Sequence, residues 1–317
     1  MKNEVDISIK MAGILGSMVA MLGGLVLLQT KSKTTVSMTE RMLPDPKTQP
    51  SKRAYELYTC CYTPFWIGAF AVIVAFQLYE DFTAQSYLVV CGGLALPFLL
   101  QPLLFPSCGF ASPDAKRPLF ERYAFKANLW IAVYSFIGNY WYTHYFYSVL
   151  KAEYTMPSHR LNNVPIAMFL ATHFYFSTYH FFSNCLLRYI TVSYQATLWR
   201  HVLFVSTVLV FSYFTAFMET LTISSYPYYS FQDRDMAYTV GSAFYGIYFI
   251  VSFPAFFCFD NDIDGVSGGK TGRSRKIITL WDTFISSCGH GMIILTLLDF
   301  VRLQLDIPLV VGAPPIA

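Results

Sequence analysis

The chain has 317 residues, 55% of them hydrophobic and 13% charged, with a formal net charge of +3. Soluble domains carry about 25% charged residues, which excludes an ordinary water-soluble globular protein. A charge this small, with no basic stripe outside the apolar runs, gives no support to a nucleic-acid partner. What remains is a polytopic membrane protein. A hydrocarbon core takes about 20 apolar residues per helix, and the pattern predicts eight helices, over residues 11–30, 60–79, 87–106, 125–150, 165–187, 201–220, 238–259 and 279–301. This is an all-α transmembrane bundle, since a membrane β-barrel would show segments of alternating polarity. Sixteen of the 22 lysines and arginines fall at the connections after helices one, three, five and seven. By the positive-inside rule these basic loops are cytoplasmic and both termini lie opposite.

In chain order, helix one is uncharged and rich in Gly and Met, with the flank MKNEVDISIK. Its apolar run is too long for a cleaved signal, so it is expected to be an anchor. The stretch from Lys31 to Pro50 contains Pro44, Pro46 and Pro50 and reads as a linker. Residues 1–49 are thus expected to form an anchor with a polar linker, and 50–317 the main membrane-embedded domain. Glu80 and Asp81, beside a membrane exit, read as solvated loop charges. Helix four carries Trp130, Asn139, Trp141, Thr143 and His144; Asn139 and Thr143 are one turn apart and share a face. Between helices four and five lies HRLNNVP, with Asn162 and Asn163 adjacent.

Helix five is the most informative. His173, Ser177, His180 and Asn184 fall at i, i+4, i+7 and i+11, one face of a helix. That polar stripe is either a hydrogen-bonded seam between helices or the wall of a cavity. Helix six ends on Glu219, a carboxyl that either faces the interior or reaches the headgroups. Asp233, Arg234 and Asp235 read as a local ion-pair group. In helix seven small residues alternate with aromatics, which suits close packing. The loop GVSGGKTG lacks the glycine six residues before its lysine that a phosphate loop requires, Asp264 standing there. Helix eight carries His290 and an i, i+3 pair of Asp299 and Arg302.

The histidines do not form a metal cluster: 29 residues separate 144 from 173 and seven separate 173 from 180, whereas a helical ligand pair sits at i and i+3 or i+4. No Ser-His-Asp set can be assembled, and the seven cysteines show no CxxC and read as packing residues. Proton transfer in an apolar, aromatic-lined cavity remains. A histidinium taken out of water is a stronger acid, and aromatic faces steady a cation. The residues alone point to a membrane acid/base enzyme acting on a lipid.

PSKRAYELY with YTPFW, then LYEDFT, RYAFKANLWI, GNYWYTHYFYSVLKAEYTMPSHRLNNVP, ATHFYFSTYH and YPYYSFQDRDMAYTVGSAFYGIYFIVSFP resemble, in order, the cycloeucalenol cycloisomerase (cyclopropyl sterol isomerase) family. The resemblance covers Pro50 to about Phe257, so seven helices are family-like and the first is an addition. It implies opening of the 9β,19-cyclopropane ring of a 4α-methyl sterol, cycloeucalenol to obtusifoliol, in the endoplasmic reticulum membrane. A proton goes to the cyclopropane methylene, positive charge develops at carbon 9, and a proton leaves carbon 8. Nothing is oxidised or reduced, so no cofactor and no metal are implied. The implied partners are the sterol, the bilayer and neighbouring sterol-pathway enzymes. On that reaction the expected catalytic set is His173, His180 and Glu219, with His144, Asn139 and Asn184 orienting it. Ser177 belongs to the same sterol-facing stripe, and Trp130 or Trp141 faces the cation. Asn162 and Asn163 either hold the sterol 3-hydroxyl or serve turn chemistry. The alternative is a sterol-binding or scaffold membrane protein without turnover.

Overall fold

The structure, a computed structural model, describes residues 2–33, 36–107, 110, 112–223, 226–262 and 278–311; GVSGGKTG and Cys108 lie outside the described residues. The long helices are α1 (Lys2–Leu27), α3 (Pro50–Ala75), α4 (Ala84–Leu104), α7 (Ile166–Ser193), α8 (Leu198–Ile223), α10 (Ser242–Asp262) and α11 (Leu280–Gln304). An eighth rod runs from α5 (Tyr123–Ile137) through a π turn at Gly138–Tyr142 into α6 (Thr143–Val149). Short α2 (Met38–Met42) precedes α3, and α9 (Arg234–Met236) leads through a second π turn, Ala237–Gly241, into α10. Six of these, α1, α3, α4, α8, α9–α10 and α11, are long and apolar enough to cross a membrane. The α5–α6 rod and α7 take the places of the remaining two expected spans and carry most of the polar candidates.

Local chemistry sets the starts. Pro50 opens α3, where its missing N–H costs nothing. Capping boxes at Thr83/Ser86 and Thr279/Asp282 start α4 and α11. α3 begins ten residues earlier than hydropathy indicates, because Ser51, Lys52, Glu56, Thr59 and Thr63 are buried against other helices rather than solvated.

α7 is the axis of the bundle. It packs against α2, α3, α4, α5, α8 and α10, and 17 of its residues are buried. α1 is the opposite case, resting on α8 with only 6% of its apolar window buried. The segment expected as a linker is docked instead: Arg188 donates to Met42 O, while Arg53 donates to Pro44 O at 2.7 Å and pairs with Glu40 at 2.9 Å. A backbone bridge ties Lys31 to Tyr194 at the same, basic end.

At the other end, β1 (Glu153–Tyr154) pairs antiparallel with β4 (Tyr229–Ser230), Tyr154 opposite Tyr229. β2 (Arg160–Leu161) and β3 (Val164–Pro165) form a hairpin whose two loop residues, Asn162 and Asn163, both adopt positive φ, 52° and 60°. Two such residues are what a type I′ turn requires. In the Asp233–Asp235 group, Asp235 pairs with Lys10 of α1 at 2.8 Å, and Asp233 caps α9. Asp299 and Arg302 do pair, at 2.7 Å, and Glu80 and Asp81 are exposed.

Candidate active site

A pocket enclosing about 590 Å³ of empty space, its open mouth included, lies between α6, α7, α8 and α10 at the β1–β4 end. Its wall is built by the first π turn and by the helix that follows the second. Gly138 and Asn139 belong to the first, Thr143, Phe146 and Leu150 follow it, and Tyr245 and Tyr248 come just after the second. π turns insert one residue into a helical turn and are frequent at functional sites. Gly241 lets the second π turn meet the wall: a Cβ there would sit 3.0 Å from the Leu150 side chain and 3.3 Å from Met236 O. α7 adds Met168, Thr172 and Phe176, α8 adds Glu219 and Thr220, and the strand pair with its neighbour adds Tyr154, Tyr229 and Phe231.

The electrostatics of this chamber have one sign. Among the described residues no lysine, arginine or histidine lines it, and Glu219 is its one carboxyl. Tyr179 and Tyr245 bring their hydroxyls to the Glu219 carboxyl, while Oε2 is buried without a hydrogen bond. The threonines donate into their own helices: Thr172 to Met168 O at 2.9 Å, Thr220 to Ala216 O at 2.8 Å, Thr143 to Gly138 O at 3.5 Å. Asn139 donates from Nδ2 to Ser135 O at 2.8 Å and to Thr172 Oγ1 at 2.7 Å. Lone pairs and aromatic rings are therefore what the wall offers a guest. That arrangement favours positive charge.

The helix-five stripe divides between the two readings open to it. His173 and His180 belong to the seam. His173 Nε2 meets Asn128 Oδ1 of α5 at 2.9 Å. His180 Nδ1 donates to Phe176 O at 2.7 Å, so its Nε2 is the acceptor for the Ser252 hydroxyl of α10 at 3.0 Å. Neither lines the Glu219 pocket; the rings of Phe176 and Tyr134 follow one another from its wall toward His180. Ser177 and Asn184 line a second, smaller space of about 240 Å³ with Tyr55, Glu56, Tyr123 and Phe256. There Arg188 holds Glu56 through two hydrogen bonds of 2.6 and 2.9 Å, with Asn184 at 3.5 Å.

The other expected residues scatter. His144 is buried, bonded to the Tyr140 backbone and packed on Tyr147. Trp130 donates to Ser286 Oγ at 3.2 Å and packs on Tyr134 and His180, behind the pocket. Trp141 is 45% exposed on the outer surface. Asn162 donates to Tyr140 O at 2.8 Å, and Asn163 O accepts from Tyr147 and Arg160, so both serve the turn. Of the expected set the structure brings together Asn139 and Glu219. The sequence reading missed Thr172, Tyr179, Tyr245, Glu56 and Arg188. Tyr179 lay in plain view between Ser177 and His180, but one tyrosine among 23 carries no signal by itself.

Fold and site together define a helical membrane protein with a carboxyl-bearing aromatic chamber inside its bundle. Cycloeucalenol cycloisomerase from Arabidopsis thaliana is 40% identical to this chain over 263 residues, covering 81% of the chain and 87% of that protein. The chain belongs to the cycloeucalenol cycloisomerase family. No family model matches it and no solved structure matches it.

Proposed function

We propose that the chain opens the cyclopropane ring of a cyclopropyl sterol such as cycloeucalenol, and that the Glu219 chamber is where it does so. Glu219 delivers its proton to the cyclopropane methylene, carbon 19. The carbon 9–carbon 19 bond pair takes that proton, carbon 19 becomes a methyl group and carbon 9 is left positive. The carbon 8–hydrogen bond pair then forms the 8,9 double bond as that proton passes to the Glu219 carboxylate, which returns to its acid form. No electrons are exchanged with any other compound. The observation that carries this reading is the pairing, in one chamber, of a carboxyl that has phenols instead of a cation with a wall of rings and lone pairs. A carbocation is the guest such a wall stabilises.

The family membership supplies the substrate class. The basic end, with Arg53, Arg117, Arg122 and Arg200, faces the cytoplasm on this reading, in the endoplasmic reticulum membrane beside other sterol-pathway enzymes. The test is expression in yeast fed cycloeucalenol, with obtusifoliol read by mass spectrometry. Accumulation of obtusifoliol supports ring opening. Retention of cycloeucalenol on the purified protein with no product would make the chain a sterol binder.

A further inference from the structure

Resting on that ring-opening reading, we infer that Asn139 is the hydrogen-bond acceptor for the sterol's 3-hydroxyl, and so fixes which end of the sterol nucleus meets Glu219. The amide cannot present its other face. Both Nδ2 hydrogens are occupied, by Ser135 O at 2.8 Å and Thr172 Oγ1 at 2.7 Å. Thr172 in turn donates to Met168 O at 2.9 Å, so toward Asn139 it can only accept. The amide orientation is thereby set by two backbone carbonyls and one hydroxyl, and Oδ1 is what remains. Asn139 lines the chamber, and Oδ1 takes no hydrogen bond among the described residues.

A cyclopropyl sterol of this class has one hydroxyl on an otherwise apolar body. Burying that group with its hydrogen unpaired costs roughly 1–3 kcal/mol, so an apolar chamber needs an acceptor for it. An amide oxygen held in one orientation suits the task better than the threonine hydroxyls: Thr172 is committed to Met168 O and to the Asn139 amide, and Thr220 is held by donation to Ala216 O. Thr220 is also the neighbour of Glu219 in sequence, at the reacting side of the wall. Asn162 and Asn163, the sequence's other candidates for the 3-hydroxyl, are absorbed by the hairpin turn and do not line the chamber. The π turn at Gly138–Tyr142 is what carries Asn139 to this position.

The test pairs one substrate change with one protein change. Wild-type protein is given a cyclopropyl sterol bearing the 3-hydroxyl, its 3-deoxy analogue and its 3-ketone. We expect the hydroxyl to be favoured over the deoxy compound by about two- to tenfold in kcat/KM, chiefly through KM. Asn139→Leu should treat the two alike. Thr172→Val, which frees an Nδ2 hydrogen and lets the amide turn, should shift preference toward the ketone. An Asn139→Leu protein that keeps the full wild-type preference overturns the assignment. Should that variant not fold, a Thr172→Val protein with no shift toward the ketone overturns it instead. If no sterol is turned over at all, the ring-opening reading fails on its own. The same sterols are then compared by thermal shift of the detergent-solubilised protein. A preference for the hydroxyl that Asn139→Leu erases keeps the subsite, and equal shifts with all three remove it.

Discussion

Among the described residues, two carboxyls face the interior of this bundle, Glu56 fully buried and Glu219 half-buried in its chamber, and their surroundings differ in kind. Glu56, on α3 near the basic end, is gripped by Arg188 through both carboxylate oxygens. Arg188 also holds Met42 O, so this pair ties α3, α7 and the docked α2 segment together. Glu219, on α8 near the opposite end, has no such partner: it meets the hydroxyls of Tyr179 and Tyr245 and keeps Oε2 without a hydrogen bond. An ion pair with its hydrogen bonds filled is a fastener, and its proton has nowhere useful to go. A carboxyl held by phenols in a chamber without a cation can give its proton to a guest. The contrast separates structure from chemistry among residues that look alike in the sequence.

The largest effect should fall on Glu219. Glu219→Gln keeps the shape and the contacts of the tyrosines but removes the acid, and general acid catalysis contributes typically about 10²–10⁴-fold. Ring opening measured in microsomes should drop by that order while the thermal midpoint of the purified protein stays near wild type. Turnover within a few fold of wild type would move the chemistry out of this chamber.

Next comes the fastener, where the effect should be on stability. Removing one partner of a buried ion pair costs roughly 3–5 kcal/mol because the other charge is left uncompensated. Glu56→Leu or Arg188→Met alone should therefore give little folded protein. Their combination should recover much of the loss, since replacing both partners by apolar groups is often neutral. Thermal midpoints of the singles and the double, read in detergent, decide it. Failure of the double to recover anything would show that Arg188 acts mainly through Met42.

How much of this was legible in the sequence follows from the same contrast. Apolar length gave the helical rods, six of which are long and apolar enough to cross a membrane, and the i, i+4, i+7, i+11 spacing placed His173, Ser177, His180 and Asn184 on a buried face of α7. Spacing cannot name partners on other helices. Asn128, Ser252 and Glu56 stand 45, 72 and 128 residues away from the side chains they meet. Hydropathy put the start of α3 near residue 60, because a buried Lys52 or Glu56 lowers the apolar score just as a solvated one does. The two π turns left no mark that periodicity could detect, yet they carry Gly138 and Asn139 to the pocket wall and lead into the helix that bears Tyr245 and Tyr248. Glu219 was visible as a carboxyl in an apolar run, but whether it faced lipid headgroups or the interior depended on the loop chain of Tyr154 and Tyr229 folding over it.

The histidine seam sharpens the comparison at a smaller scale. His173→Leu leaves Asn128 Oδ1 facing an apolar side chain, a loss of about 1–3 kcal/mol, which should lower the thermal midpoint. Turnover per folded molecule should stay within a few fold of wild type, because His173 does not line the Glu219 chamber. The reverse pattern, normal stability with turnover lost, would place proton handling on α7.

The smallest effect lies outside the membrane, at a third carboxyl, which is buried. Asp114, in the connection between α4 and α5, accepts from the Ala124 N–H at 3.2 Å and pairs with Arg117 at 3.1 Å. Burial outweighs those contacts and pushes its carboxyl above the ordinary value of 3.8. The folded chain then holds this proton more tightly than the unfolded chain does. The resulting stabilisation is complete below pH 3.8 and is lost as the pH rises through the higher folded value. Asp114→Asn has no proton to lose at that position. The gap between its thermal midpoint and that of wild type should therefore shift in favour of the variant as the pH is raised from 3.5 toward 7, where Arg117 retains its interaction with Ser51 Oγ at 3.3 Å. A shift in the opposite direction would mean that Arg117 and the Ala124 N–H dominate over burial, making Asp114 a fastener of the Glu56 kind rather than a carboxyl held against its preference.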